Sequence, residues 1–167
     1  MTKRVKNLSR SALIAALYIT LTYLQELLLP GFTSMAIQFR ISEALCILAL
    51  YSPTAVWGLT VGCLVFNISN AALPPDIFIG SLATLIATGG MYLTRKVTVF
   101  GYPLLAMLLP AIVNGLLIGW ELSVYVGGGF WLNALYVAIG EAAVLFLLGS
   151  VLFYVFRSRQ LGQRLFS

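Results

Sequence analysis

Long apolar blocks separated by chain breakers occupy nearly the whole sequence. Pro and Gly clusters of the turn-forming kind divide the blocks, and they lie at Pro30-Gly31, Ser52-Pro53, Leu73-Pro74-Pro75, Gly101–Pro103 and Gly127–Gly129. Uninterrupted apolar runs of this length are typical of helices that cross a bilayer. The pattern predicts six helices, roughly at residues 9–29, 38–51, 53–72, 76–94, 103–124 and 130–156.

Composition indicates that the solvent of this chain is lipid. Of its 167 residues 60% are hydrophobic and 9% charged, and the mean hydropathy is +0.99. A soluble domain of this size still exposes about a third of the surface of its unfolded chain, and here most of that surface would be apolar. We therefore predict an all-α integral membrane protein, a six-transmembrane-helix bundle that forms a single domain over residues 1–167.

Charge placement decides between five and six spans. The uncharged part of the second block, residues 44–51, is short enough to be a re-entrant piece instead of a crossing. With six spans and the N-terminus inside, nine of the ten basic residues lie on the cytoplasmic side, whereas five spans leave four there. We predict a multi-pass protein of the cell membrane with both termini in the cytoplasm. We therefore interpret the net charge of +5 as a sign of orientation in the membrane and not of a nucleic-acid partner.

Glu141 is the residue that most suggests a binding function. It lies about eleven residues into the last predicted helix, which puts it about 16 Å deep. An ionised carboxylate at that depth costs at least about 2.5 kcal/mol, so Glu141 should face the bundle and meet a partner or a ligand. Glu43, Asn67 and Asn114 are predicted to line the same outward-facing cavity.

Other candidate residues have structural interpretations as well as functional ones. Arg40 precedes Glu43 by three residues, so the two can form a salt bridge or stand at the mouth of the cavity. Asn67 and Asn114 can form interhelical hydrogen bonds or bind a ligand. Trp131 can belong to an aromatic belt at the membrane surface or stack on a flat ligand.

Two further features suggest a lid and a docking face. The uncharged segment 31–39, with Phe32 and Phe39, should fold over the outer surface, either as a lid or as a simple cap. Ala12 and Ala16 form a small-xxx-small pair that allows another helix to approach closely. That helix can belong to this chain or to another subunit.

Missing residue types exclude several classes of function. The sequence has no histidine, which excludes histidine-based zinc motifs, Ser-His-Asp triads and haem-type ligation. It has no G-x-x-x-x-G-K-[ST] loop for a nucleotide. We predict neither a metal nor a cofactor, and active transport would need a partner or an ion gradient as its energy source.

Five stretches together resemble the QueT family, the substrate-binding S components of energy-coupling factor importers associated with queuosine precursors. They are IQFRISEAL from Ile37, GLTVGCLVFN from Gly58, DIFIGSLATLIA from Asp76, PAIVNGLLIGWEL from Pro110 and ALYVAIGEAAVLFLLG from Ala134. The resemblance implies the six-helix S-component fold, and a face at Ala12 and Ala16 that docks a transmembrane coupling protein of the EcfT type. Two cytoplasmic ATPases would complete the importer, and loop 31–39 would be its lid.

The implied substrate is queuosine, queuine or a 7-deazaguanine precursor, and its chemistry fits the candidate residues. A guanine-like edge offers two adjacent N–H donors that suit one carboxylate, and a cationic exocyclic amine suits a second. Glu43 and Glu141 are the candidates for these roles. Asn67 and Asn114 would read ring atoms, and Trp131 would stack.

Three alternatives stay open at this point. The chain can be an S component for another vitamin or nucleobase, because such subunits share a fold while their pockets differ. It can be an autonomous proton-coupled carrier in which Glu141 titrates. It can be an intramembrane enzyme that uses Glu141 as a general acid or base, although the lack of histidine and of a second acid at mid-depth argues against this.

Overall fold

The computed structural model of the chain describes residues 2–30, 39–70 and 74–166, and these residues are helical almost throughout. In chain order the elements are α1 Lys3–Leu28, the 3₁₀ helix η1 Ile41–Leu50, α2 Pro53–Asn70, α3 Asp76–Thr94, α4 Leu104–Tyr125, α5 Phe130–Val144, a π-helical turn Leu145–Gly149, α6 Ser150–Ser158 and α7 Leu161–Phe166. The prediction of an all-helical protein is confirmed.

The helices run alternately between two ends of the bundle. At one end Ser11 of α1 donates to the carbonyl oxygen of Thr54, 2.8 Å away, and Arg157 donates to the carbonyl oxygen of Gly101. Because the basic residues of α1, of the α3–α4 connection and of α6 all lie here, we call it the basic end; its side chains include Lys3, Arg4, Lys6, Arg10, Arg95, Lys96, Arg157 and Arg159. The opposite end, with Glu26, Glu43, Asp76 and Glu121, is the acidic end.

The second predicted helix is the central element of the bundle, and its geometry differs from the expected α-helix. It is the ten-residue 3₁₀ helix η1, in which eight residues are buried, and it packs against α1, α2, α3 and the π-helical turn. A 3₁₀ helix rises about 2.0 Å per residue, so ten residues reach about 20 Å. Thus η1 extends from Arg40 at the acidic end to Tyr51, whose ring lies 5.6 Å from that of Phe156 at the basic end.

Four helices of the described residues are long and apolar enough to cross a membrane: Lys3–Leu28, Asp76–Thr94, Leu104–Tyr125 and Phe130–Ser158. The last of these combines α5, the π-helical turn and α6 into one rod. The ten-residue η1 is an apolar helix too short for this class, and α2 has 18 residues. Six crossings stay a prediction.

Small residues bring neighbouring helices into close contact. A Cβ atom added at Gly119 of α4 would lie 2.5 Å from the Cα of Ala134 in α5, and one added at Gly115 would lie 3.0 Å from the Cβ of Ala138. Ala134 and Ala138, small residues on one face of α5, therefore serve packing within the chain. Helices α1 and α2 meet in the same way where Gly58 faces Ile14.

The α4–α5 contact gives a test of the fold. Gly119→Ala should destabilise the detergent-solubilised protein by about 1–3 kcal/mol, because the new methyl group meets backbone atoms that cannot rotate away. Gly89→Ala in α3 is the matched control, since no described atom lies within 4 Å of its added Cβ. It should be neutral or stabilise the helix by up to about 1 kcal/mol. Equal melting temperatures for the two variants would contradict this packing.

Candidate functional site

A small cavity lies in the half of the bundle nearer the acidic end. Its walls come from η1, α3, α4 and α5, and its lining residues are Arg40, Glu43, Gly80, Thr84, Asn114, Ile118, Val137 and Glu141. Helical spacing explains the convergence, because residues four apart share a helix face. Gly80 and Thr84, Asn114 and Ile118, and Val137 and Glu141 are three such pairs. The cavity volume is about 10 Å³, which is space for about one water molecule.

Two larger hollows lie elsewhere and have a different character. One of about 400 Å³ opens at the basic end beside Tyr51, Arg95 and Arg157. The other, of about 540 Å³, is a mainly apolar groove between the first half of α1 and the start of α2. Buried carboxyl groups converge at the small cavity, and for this reason we take it as the candidate site.

Glu43 is held firmly by its neighbours. Its side chain is buried, and one carboxylate oxygen, Oε1, accepts a hydrogen bond from the hydroxyl of Tyr18 at 2.5 Å. The other, Oε2, accepts from the thiol of Cys46 at 3.1 Å. Two donors therefore fix Glu43 at the start of η1, which leaves it less free to take donors from a ligand than the sequence suggested.

Glu141 is buried as well, but its partners leave one oxygen available. Asn114 forms a side-chain hydrogen bond with its carboxyl group, and Glu43 and Arg40 are its charged neighbours. Its Oε1 atom is buried without a hydrogen-bond partner among the described residues. A buried acceptor of this kind calls for a donor, and Glu141 faces the cavity from which one could come.

Arg40 pairs with a different acid from the one that local spacing suggested. Its Nη2 atom lies 3.5 Å from Oδ2 of Asp76, at the start of α3. Glu43, three residues further on, is turned to Tyr18 and Cys46 instead. Arg40 therefore links η1 to α3, and it is the cation that faces the cavity.

Asn67 stabilises the site without lining the cavity. Its side-chain amide donates to the backbone carbonyl of Asp76 at 3.0 Å. A Cβ atom at Gly80 would come within 2.6 Å of Oδ1 of Asp76 and 2.8 Å of the amide nitrogen of Asn67. Because Gly80 has no side chain, Asp76 and Asn67 can occupy the space beside it. Asn67 positions Asp76 and stands outside the cavity wall.

Of the remaining predicted residues, those that the structure describes lie apart from the cavity. Trp131 is 76% exposed and packs edge-on against Phe130, a position that suits a membrane-surface aromatic better than a stacking partner. Phe39 lies just before η1, and its carbonyl oxygen accepts a hydrogen bond from Gln25. Phe32 lies outside the described residues. Ala12 and Ala16 are both exposed on α1.

Two further acids adjoin the site through Arg40, and sequence reasoning did not assign them to it. Glu121 of α4 is 1% exposed, and Asp76 and Arg40 are its charged neighbours. A signal for Glu121 was present, because it lies seven residues after Asn114 and hence on the same helix face. Asp76 is brought to Arg40 by the tertiary fold, and local spacing holds no signal for that contact.

Within residues 2–30, 39–70 and 74–166 no group of three or more His, Cys, Asp or Glu side chains could hold a metal ion. The chemistry that the site offers is recognition by hydrogen bonds and charge. Carboxylate oxygens and amide groups suit a ligand rich in N–H donors.

Two comparisons with known proteins indicate the same family. A family model described as "QueT transporter" matches residues 8–158. The "Queuosine precursor transporter QueT" of Lactococcus lactis subsp. cremoris (strain MG1363) is 33% identical over 78 residues, which are 45% of this chain. The matched part spans 43% of that relative's length. No solved structure matches the chain.

The hydrogen bond from Tyr18 to Glu43 can be tested without a ligand. Tyr18→Phe keeps the buried ring but removes a donor from a buried carboxylate, so we expect it to lower the free energy of unfolding by about 1–3 kcal/mol. Tyr23→Phe on the same helix is the control, because Tyr23 is exposed and its hydroxyl meets the exposed Ser69. The control should stay within about 0.5 kcal/mol of the parent protein. Chemical unfolding in detergent measures both, and a smaller loss for Tyr18→Phe than for Tyr23→Phe would contradict the role of this bond.

Proposed function

The chain belongs to the QueT transporter family, and on this premise we propose that it is the substrate-capturing S component of an energy-coupling factor importer. Its substrate would be queuosine, queuine or a 7-deazaguanine precursor, taken up from outside the cell. The observation that carries the proposal is the buried Glu141, with Oε1 unpartnered among the described residues and facing a cavity beside Asn114.

Ligand chemistry supports this choice of substrate. The guanine-like edge of a 7-deazaguanine carries two adjacent N–H donors, and a carboxylate can accept both. Glu141 would take these donors, while Asn114 would read a neighbouring ring atom. Glu43, which Tyr18 and Cys46 hold, and Asn67, which donates to the backbone carbonyl of Asp76, would keep the surrounding helices in place.

Capture requires the acidic end to open. A cavity of about 10 Å³ is far smaller than the roughly 300–1,000 Å³ of typical ligand sites. The described conformation would therefore be closed, and a ligand would bind an open form and shift the population towards its complex. Loop 31–39 would be the lid; of that loop the structure describes Phe39, which Gln25 ties to α1.

Orientation follows from the distribution of charge. Basic residues concentrate near the cytoplasmic surface of membrane proteins, so the basic end would face the cytoplasm and the acidic end the outside. Both chain ends would then be cytoplasmic, with six crossings between them. This arrangement supports capture from the outer side, because the cavity lies nearer the acidic end.

Energy coupling would come from partner subunits. The groove between α1 and α2 is lined by Ser11, Ala12, Ala15 and Gly58 among others, and Ala16 is exposed one turn further along α1. Small side chains here would let a helix of a transmembrane coupling protein approach closely. Two cytoplasmic ATPases bound to that protein would supply the energy.

Ligand-dependent melting of the purified chain tests the substrate. Queuine, queuosine and 7-aminomethyl-7-deazaguanine should be compared, and at a hundredfold excess over its dissociation constant a specific ligand adds about 2.7 kcal/mol. Glu141→Gln should abolish most of this stabilisation, while Trp131→Leu should leave it unchanged, because Trp131 is exposed on the surface. Stabilisation by another vitamin but by no 7-deazapurine would favour an S component of different specificity.

Docking is tested by separating uptake from binding. Ala16→Trp should abolish uptake in cells, because a large ring blocks close helix approach, yet leave ligand-dependent melting of the purified chain intact. Leu27→Trp, at the acidic end of the same helix and 77% exposed, should transport normally. Uptake that persists with Ala16→Trp, or in cells that lack every coupling ATPase, would favour an autonomous carrier.

A further inference from the structure

Acidic side chains outnumber basic ones around the cavity. Four carboxyl groups, those of Glu43, Asp76, Glu121 and Glu141, have Arg40 as a charged neighbour. The side chains of Arg40 and Asp76 are 12% and 14% exposed, and the three glutamates are more deeply buried. One guanidinium cannot neutralise four carboxylates, so the cluster must either hold protons on some of these acids or take positive charge from elsewhere.

The unpartnered oxygens show where that charge is needed. Both carboxylate oxygens of Glu121 and Oδ1 of Asp76 are buried without a hydrogen-bond partner in the part of the chain that the structure describes. Glu43, in contrast, has a donor on each oxygen. Glu121, with two such oxygens, therefore has the greatest demand for donors, and Asp76, its electrostatic neighbour, adds a third oxygen.

This pair lies between the cavity and the acidic end. Asp76 precedes the cavity residue Gly80 by four residues, or about 6 Å along α3. Glu121 follows Asn114 by seven residues, or about 10 Å along α4. A ligand whose ring edge meets Glu141 and Asn114 would extend a substituent from the ring towards Asp76 and Glu121.

We propose that Asp76 and Glu121 form a second subsite that binds a protonated amine on the substrate. Three features carry this inference: the unpartnered oxygens, the loose 3.5 Å contact of Asp76 with Arg40, and the position of both acids beyond the ring site. Two carboxylates around an ammonium group give short, charge-assisted hydrogen bonds. The transported species is thus an amine-bearing 7-deazaguanine, and a neutral relative binds less well.

The inference rests on the proposed function, and two ligands distinguish a failure of the inference from a failure of that function. We compare 7-aminomethyl-7-deazaguanine with the neutral 7-cyano-7-deazaguanine by titration of the detergent-solubilised full chain. The parent protein should bind the amine about 10- to 100-fold more tightly, the usual worth of a charge-assisted hydrogen bond. Equal affinities, or a preference for the nitrile, would overturn the amine subsite. If neither ligand bound, the proposed function itself would fail.

Substitutions test which residues form the amine subsite. Glu121→Gln and Asp76→Asn should each cut the amine preference about tenfold or more, while affinity for the nitrile changes less than about twofold. Glu26→Gln is the control, because Glu26 lies at the acidic end on α1, a helix that contributes no residue to the cavity lining, and it should keep both affinities. Unfolding of the ligand-free variants checks that they fold. If Glu121→Gln misfolded, Asp76→Asn and the ligand preference of the parent protein would still decide. An equal loss for both ligands would assign these acids to the fold alone.

Discussion

Arg40 is the cation that allows the acidic end of this bundle to close. It forms an ion pair with Asp76 and interacts with Glu43, Glu121 and Glu141, which belong to three different helices. Burying an ion costs several kcal/mol unless an opposite charge and hydrogen bonds compensate it. A single guanidinium placed among acids from η1, α3, α4 and α5 supplies part of that compensation to each of them. Charge therefore joins the helices at this end in addition to the apolar packing of Ala83, Ile118 and Val137.

The central 3₁₀ helix connects this charge cluster to the rest of the fold. Arg40 and Glu43 stand at its first turn, and Ile47 lies further along in the apolar core. Long 3₁₀ helices are uncommon because their hydrogen bonds are poorer, but they reach further per residue than α-helices. Ten residues of η1 span about 20 Å, where an α-helix would span about 15 Å. The extra length lets one short segment touch both ends and place Arg40 among the acids.

Sequence reasoning succeeded where the determinants are local and failed where they are not. Pro and Gly clusters mark the helix ends, so the predicted blocks correspond closely to the observed helices. Burial of Glu141 followed from its depth in an apolar run. The 3₁₀ form of η1 was beyond reach, because ISEALCILAL has no residue that excludes an α-helix. The partner of Arg40 was also missed, since Asp76 is 36 residues away and spacing along one helix pointed to Glu43. For Trp131 the sequence left a stacking role and a membrane-surface role open, and its 76% exposure favours the membrane surface.

The two ends of the bundle differ in how well their buried groups are satisfied, and that difference favours the proposed opening at the acidic end. Towards the basic end, Ile47, Leu59, Met107 and Leu145 belong to one buried apolar cluster, and its close packing contacts are lost when the helices separate. Towards the acidic end, buried oxygens of Asp76, Glu121 and Glu141 lack partners among the groups described. Opening that end lets water satisfy them, which offsets much of the cost. A ligand with N–H donors can satisfy the same oxygens while the helices stay together. In the proposed mechanism, binding and closure would be one event, because the ligand would supply the hydrogen bonds that the closed cluster lacks.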